Sequence, residues 1–430
     1  MNSYRHPGLV LTDHRFTVPL DHADPGGKTI EIYGREAVAS EKADGDLPWL
    51  LYLEGGPGFG ARRFIGTEAW LGRAVREFRV LLLDQRGTGL STPANRQTLP
   101  LCGGPREQAD YLAHFRSDSI VRDCELIRPR LTGGTPWTVL GQSFGGFCAV
   151  RYLSAAPEGL ERVLITGGLP SLDAHADDVY RAAYPRIERK VAAHYARYPQ
   201  DVARARAIAA YLAEHRPDYG GHHLTPEGFR SLGILLGGGS GSHQLHHLLE
   251  NAFVTGPDGT ELSDAFQEAM RAATSFAGHP LYALMHEAIY GQGARPTAWS
   301  AERVRAEFPQ FDAGAGEGPV MFTGESIHPW HFEVDPALRP LRETAELLAA
   351  RTDWPALYDP ERLAANEVPV AAAVYHDDMY VDTAHSLRTA ASIRGLRTWV
   401  TSEFEHDGLR AGGPRVLDRL LALVRGECDR

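Results

Sequence analysis

Cysteine is scarce in this chain. Cys102, Cys124, Cys148 and Cys428 are the only four in 430 residues. That is too few for a disulfide framework, and none belongs to a Cys-x-x-Cys pair. A reducing, cytoplasmic setting is the economical expectation, with a single Cys102–Cys124 bridge left open. Long apolar runs are missing as well. None approaches the roughly 18 residues of a membrane-spanning helix. The opening MNSYRHPGLVLTDHR has no apolar stretch long enough for a signal peptide. Positive charge is in deficit, with 44 Lys and Arg against 55 Asp and Glu and a net charge of −11. The acidity is spread along the chain, which argues against nucleic acid or an anionic membrane as the main partner. No dinucleotide or phosphate-loop pattern appears, so no cofactor is expected. Two histidine pairs, His222–His223 and His246–His247, are adjacent residues that point apart and lack carboxylates at ligand spacing, so no metal site is expected. There is no internal repeat and no low-complexity segment.

What the chain has is a hydrophobic content of 43%, enough for a sizeable core, and short apolar runs at regular intervals. His14 to Leu20 and Thr29 to Ala37 alternate apolar and polar residues around the turn DHADPGGK, which predicts an antiparallel pair. Pro48 to Leu53, Arg79 to Leu83, Trp137 to Leu140 and Arg162 to Thr166 are continuously apolar. Val368 to Tyr375 and Leu396 to Thr401 resume the pattern near the end, with helices over Ala384 to Arg394 and Val416 to Val424. Continuous apolar strands alternating with helices predict a mostly parallel sheet buried on both faces. From Leu169 to Glu367 the rhythm changes. Segments such as ARARAIAAYLAEH and HQLHHLLENAF have i, i+3, i+4 spacing, and Pro319 to Phe322 is the one strand-like run. The expected organisation is therefore a core over 1–168, an inserted helical cap over 169–367 and the remainder of the core over 368–430.

The stretch Trp137 to Gly146, WTVLGQSFGG, organises the rest. A strand runs into Gly141-Gln142-Ser143-Phe144-Gly145, and a helix follows. Gly-x-Ser-x-Gly between strand and helix is the context of a nucleophile elbow, with Ser143 as nucleophile. Ligands in such sheets gather at the carboxyl ends of the strands, and the triad order is Ser, then Asp or Glu, then His. His376-Asp377-Asp378-Met379 follows one late strand, and Ser402-Glu403-Phe404-Glu405-His406 follows the last. His406 is the candidate base; Asp377 and Asp378 both qualify as its orienting acid. An oxyanion hole needs two preorganised N–H groups. The residue after the nucleophile, Phe144, supplies one, and the loop Gly55-Gly56-Pro57-Gly58 supplies the other, assigned to Gly56. The loop from Asp84 to Ser91 is expected to brace the elbow through Asp84 and Arg86.

Taken together, GGPG, DQRGTGLS, GQSFGG and the closing acid and histidine resemble the proline iminopeptidases of the α/β-hydrolase superfamily. The segments HEAIYGQG, FTGESIHPWHFE, YHDDMYVD and EFEHDGLR are similar to the longer bacterial form of that family. The resemblance implies an α/β-hydrolase fold with a helical cap and a Ser143–Asp378–His406 triad. The acid falls on Asp378 because it precedes Met379 in a Tyr-Asp-Met-like pattern. The implied activity is release of N-terminal proline from peptides with a free amine. Cap carboxylates would pair with the ammonium, and Glu287 and Glu325 are the candidates. Tyr290, Phe322 and Trp330, with Phe144, would wall the pyrrolidine pocket. One departure stands out: many relatives have His before GGPG, and this chain has Glu54. Two other readings stay open, an esterase or amidase on the same triad and a non-catalytic binding module, which would need none of the three residues.

Overall fold

The apolar runs become strands of one sheet. In the computed structural model, which describes residues 2–257, 259–312 and 318–428, they are β1 (Asn2–His6), β2 (Leu9–Pro19), β3 (Thr29–Ala39), β4 (Trp49–Leu53), β5 (Arg79–Asp84), β6 (Trp137–Gln142) and β7 (Leu160–Thr166). Two small hairpins follow, β8 (Asp218–Tyr219) with β9 (His222–His223) and β10 (Phe253–Gly256) with β11 (Gly259–Leu262). The sheet then closes with β12 (Val370–Tyr375) and β13 (Arg397–Thr401). Nine strands pair in the order β1-β2-β3-β5-β4-β6-β7-β12-β13. The first three and the β3–β5 junction are antiparallel, and the rest are parallel. β1 extends the expected hairpin by a strand that the polar sequence NSYRH does not announce.

The central strands are continuously apolar because both faces are covered. Leu51, Leu53, Leu81, Leu83, Val139, Val163 and Ile165 pack on one side with the helix Phe144–Ala155. Their neighbours Leu50, Tyr52, Val80, Leu82, Leu140 and Leu164 pack on the other with the helix Pro414–Arg425. That last helix opens on proline and ends before Gly426 at φ 74°, the usual asymmetry of helix ends. It buries Val416, Leu417, Leu420 and Leu421, each contributing about 1.5–3 kcal/mol as an isolated burial term.

The segment 169–367 divides in its packing. Helices Ala176–Arg197, Asp201–His215, Gly241–Glu250 and Asp264–Thr274 close a core of their own around Ile187, Ile208, Phe229, Leu245, Phe266 and Phe322. Leu281, Met285, Ile327, Phe332, Leu341, Leu348, Leu357 and Leu363 instead share the core of the sheet with Phe147 and Ile120. Pro319 to Phe322 is not a strand; it is an extended connection whose Phe322 is driven into the cap core against Phe229. Among the described residues no helix is long and apolar enough to cross a membrane, and Cys102, Cys124, Cys148 and Cys428 are all free.

Candidate active site

Ser143 sits at φ 53°, ψ −122°, a strained conformation for a side chain other than glycine. The surroundings hold it there. Its N–H donates to the Thr166 carbonyl at 3.0 Å, and a Cβ at Gly141 or Gly145 would land on the backbone of Gly145 or Leu53. Only a chain lacking both side chains can fold this tightly between strand and helix, so the glycines of the elbow are steric requirements.

Across the sheet end, His406 Nδ1 lies 2.7 Å from Asp378 Oδ2. The other carboxylate oxygen accepts the N–H groups of Tyr380 at 2.8 Å and Val381 at 3.1 Å. Asp378 is buried, whereas Asp377 is exposed and faces His376 at 3.0 Å. Of the two acids left open by chain order, Asp378 is the one that meets the histidine. Burial pushes the His406 imidazolium down, but the Asp378 charge and hydrogen bond outweigh it, and Glu325 adds to them, so the pKa is raised above the ordinary histidine value. The histidine loop is tied to the cap: the His406 N–H donates to the Gly237 carbonyl at 3.1 Å, and the Tyr380 ring stands edge-on to the imidazole at 4.8 Å.

Ser143, His406, Gly55 and Gly56 line one cavity of about 520 Å³. A Cβ on Gly55 would lie 2.9 Å from the Ser143 Cβ, so the glycine loop rests directly against Ser143. The Gly55 N–H is taken by Glu54 Oε1 at 3.1 Å. Phe144 is the first residue of its helix, where an N–H has no intrahelical acceptor.

Of the five residues of 169–367 expected at the substrate, Glu325 lines the cavity, and it accepts the Tyr282 hydroxyl at 2.5 Å. The other four cap residues expected at the substrate do not line it, and neither does the Phe144 ring. Glu287 is buried and accepts the N–H groups of Ser300 at 3.1 Å and Ala301 at 2.9 Å. Its charge satisfies the open end of the helix Ser300–Arg305, and burial raises its pKa. Tyr290 packs edge-on against Phe147 at 5.7 Å, Phe322 belongs to the cap core, and Trp330 stacks on His331 at 3.7 Å. Packing against another element took the Tyr290 and Phe322 rings away from the cavity, whereas Trp330 is held by the histidines beside it in its own segment. The aromatic wall comes instead from Tyr52, Phe59, Trp70, Phe276, Tyr282 and Tyr380. Phe59 follows GGPG directly and was legible from its position at a strand end. Phe276 and Tyr282 carry no local signal, because only the docking of the cap brings them over Ser143.

Two further expectations are corrected. Asp84 and Arg86 make no side-chain hydrogen bond to the elbow. Asp84 accepts the N–H groups of Ala61 at 2.9 Å and Leu90 at 2.8 Å. Arg86 is buried against Asp123 at 2.6 Å and the carbonyls of Leu20 and His114. They tie the loops beside the site to one another and to the β2 end. The histidine pairs also have acidic partners after all: His246 Nδ1 lies 2.9 Å from Asp201 Oδ2, His247 Nδ1 2.8 Å from Glu250 Oε1, and His223 Nδ1 3.1 Å from Asp218 Oδ2. Glu250 lies one helical turn from His247 and Asp218 lies across a short hairpin from His223, whereas Asp201 reaches His246 only through packing of the helix Asp201–His215. None of these residues lines the cavity.

The family model of the alpha/beta hydrolase fold matches residues 48–243. The chain is 48% identical to a proline iminopeptidase of Aeromonas sobria, over 97% of each sequence. It is 35% identical to a proline iminopeptidase of Aspergillus aculeatus, over 99% of this chain and 96% of the relative. Among solved structures, a thermophilic esterase from Thermogutta terrifontis aligns over 96% of this chain and 98% of its own with a TM-score of 0.43 at 13% identity. With nearly half its residues identical over almost the full length of a relative, and a Gly-x-Ser-x-Gly turn between strand and helix on a mostly parallel sheet, the chain belongs to the proline iminopeptidase family of the α/β-hydrolase fold.

Proposed function

We propose that the protein is a serine aminopeptidase that releases N-terminal proline from peptides through an acyl-enzyme on Ser143. One observation carries the reading: Ser143, the Asp378-bound His406 and a single cap carboxylate, Glu325, line the same cavity. In this mechanism His406 Nε2 takes the Ser143 proton as Oγ attacks the scissile carbonyl. Asp378 stabilises the imidazolium that forms. The Gly56 and Phe144 N–H groups receive the oxyanion. His406 then protonates the leaving amine, and a water, deprotonated by the same imidazole, hydrolyses the ester and frees the amino acid.

A free N-terminal amine has a pKa of about 7.7–8.0, somewhat higher for proline's secondary amine, so the substrate's amine is largely protonated at neutral pH. Glu325 is the group that pairs with it and thereby sets the scissile bond one residue away. A peptide with a free N-terminus is therefore the partner. The scarce, unpaired cysteines fit a cytoplasmic setting.

The test is turnover of Pro-naphthylamide against N-acetyl-Pro-naphthylamide. Truncating one side of a desolvated charge pair costs about 2–5 kcal/mol, so the acetylated substrate should be slower by at least roughly a hundredfold in kcat/KM. Glu325→Gln should raise KM for the free amine and narrow that gap, and Ser143→Ala should abolish turnover of both. Equal kcat/KM for the two substrates would overturn the exopeptidase reading in favour of a general esterase or amidase.

A further inference from the structure

Glu54 stands where β4 ends and the glycine loop begins. Its carboxylate is committed on both oxygens. Oε1 accepts the Tyr52 hydroxyl at 2.9 Å and the Gly55 N–H at 3.1 Å. Oε2 accepts the Arg62 N–H at 3.3 Å. The Glu54 carbonyl accepts Gln85 Nε2 at 3.0 Å, which pins the residue to the neighbouring strand end. One side chain thus joins the strand, the first N–H of the loop and the loop's far end.

The loop needs such a fastening. Gly55-Gly56-Pro57-Gly58 has little side-chain material to pack, and Gly56 adopts φ +128°, a region essentially reserved for glycine. The loop nevertheless touches the nucleophile, with the Gly55 Cβ position 2.9 Å from the Ser143 Cβ. The Gly55 N–H points into Glu54, so the next donor along, Gly56, is the one left for the substrate. An oxyanion hole works only if its donors are in place before the charge develops.

We propose that Glu54 is a positioning residue that holds the Gly55–Gly56 loop in register with Ser143, acting as a hydrogen-bond acceptor and not as a charge that reads the substrate. The inference rests on Ser143 being the nucleophile. It does not depend on the substrate's amine, and the competing role, a second ammonium anchor beside Glu325, makes opposite predictions.

The experiment compares Glu54→Ala, Glu54→Gln and Glu54→Asp in the full chain, on Pro-naphthylamide and on p-nitrophenyl acetate, which has no amine. Deleting an oxyanion donor costs about 10²–10³ in kcat, and loosening the loop that carries one should cost roughly ten- to a hundredfold. Glu54→Ala and the shortened Glu54→Asp should lose that much kcat on both substrates, with KM for Pro-naphthylamide little changed. Glu54→Gln, whose amide oxygen can accept the same Gly55 N–H, should recover most of the rate.

The proposal is overturned if Glu54→Ala raises KM for the free-amine substrate and spares the acetate. It is equally overturned if Glu54→Gln is as damaging as Glu54→Ala, or if no variant slows. Should Glu54→Ala fail to fold, the pair Glu54→Gln and Glu54→Asp decides alone: a faster Asp than Gln variant assigns the role to charge and refutes it. Ser143→Ala is the control. If it still cleaves the acetate, the nucleophile assignment has failed. If it is dead while the Glu54 variants are normal, only the loop role falls.

Discussion

Asp378 Oδ2 and His406 Nδ1 are 2.7 Å apart, the acid buried and its second oxygen held by two backbone N–H groups. The neighbouring Asp377 is exposed and turned to His376. Asp378→Asn should therefore lower kcat/KM on the order of 10³–10⁴-fold, the loss expected when a triad histidine is held in the wrong tautomer. Asp377→Asn should stay within about threefold, as an exposed substitution does. Steady-state kinetics on Pro-naphthylamide check both, and a larger loss at Asp377 would reverse the assignment.

The raised His406 pKa sets a pH limb. The base must be neutral to accept the serine proton, so reactivity is lost as pH falls through the folded-state value, which lies above the ordinary histidine value of about 6.5. Glu325 is one of the charges raising it. Glu325→Gln should move the acid limb to lower pH. The pH profile of Ser143 inactivation by diisopropyl fluorophosphate reads this without titrating a substrate amine; an unmoved limb would remove Glu325 from the electrostatics of the base.

Gly237 couples the cap to the base. Its carbonyl accepts the His406 N–H at 3.1 Å, and a Cβ at this position would land on the Tyr380 ring, whose hydroxyl donates to the Ile234 carbonyl. Gly237→Ala should displace Tyr380 from the imidazole and lower kcat about tenfold, comparable to a repacking cost of about 1–3 kcal/mol. Retention of full kcat with an unchanged melting temperature would show that the contact has slack.

Glu287 and Glu325 should separate cleanly. Glu287→Gln leaves a buried helix start poorly satisfied, a cost of about 1–3 kcal/mol, and should lower the unfolding midpoint without changing KM for Pro-naphthylamide. Glu325→Gln should do the opposite. Thermal unfolding measured beside KM tests the pair, and a KM effect at Glu287 would return it to the substrate.

The chemistry-bearing elements were legible because strand ends and tight turns write themselves locally. Gly141 and Gly145 flank Ser143 because nothing larger fits, and the late strands deliver Asp378 and His406 in order because the first is a continuous buried apolar run and the second pairs parallel to it at the sheet edge. The fold class follows from the same runs, buried on both faces. What sequence could not decide was where the side chains of 169–367 point. Glu287 and Glu325 both sit in family-like segments, yet one is consumed by the N–H groups of Ser300 and Ala301 and the other faces the cavity. Tyr290, Phe322 and Trp330 were as plausible as Phe276 and Tyr282 until folding packed Tyr290 against Phe147, put Phe322 against Phe229 and stacked Trp330 on His331. The sequence by itself determined the tight turn at Ser143 and the chain order in which Ser143, Asp378 and His406 arrive at the strand ends, since these depend on backbone geometry within a few residues. The tertiary structure decided between Asp377 and Asp378 as partner of His406, and decided which groups of 169–367 line the cavity and what Glu54 holds. Those outcomes depend on contacts between segments far apart in the chain, where an acceptor is claimed by whichever donor the packing brings closest.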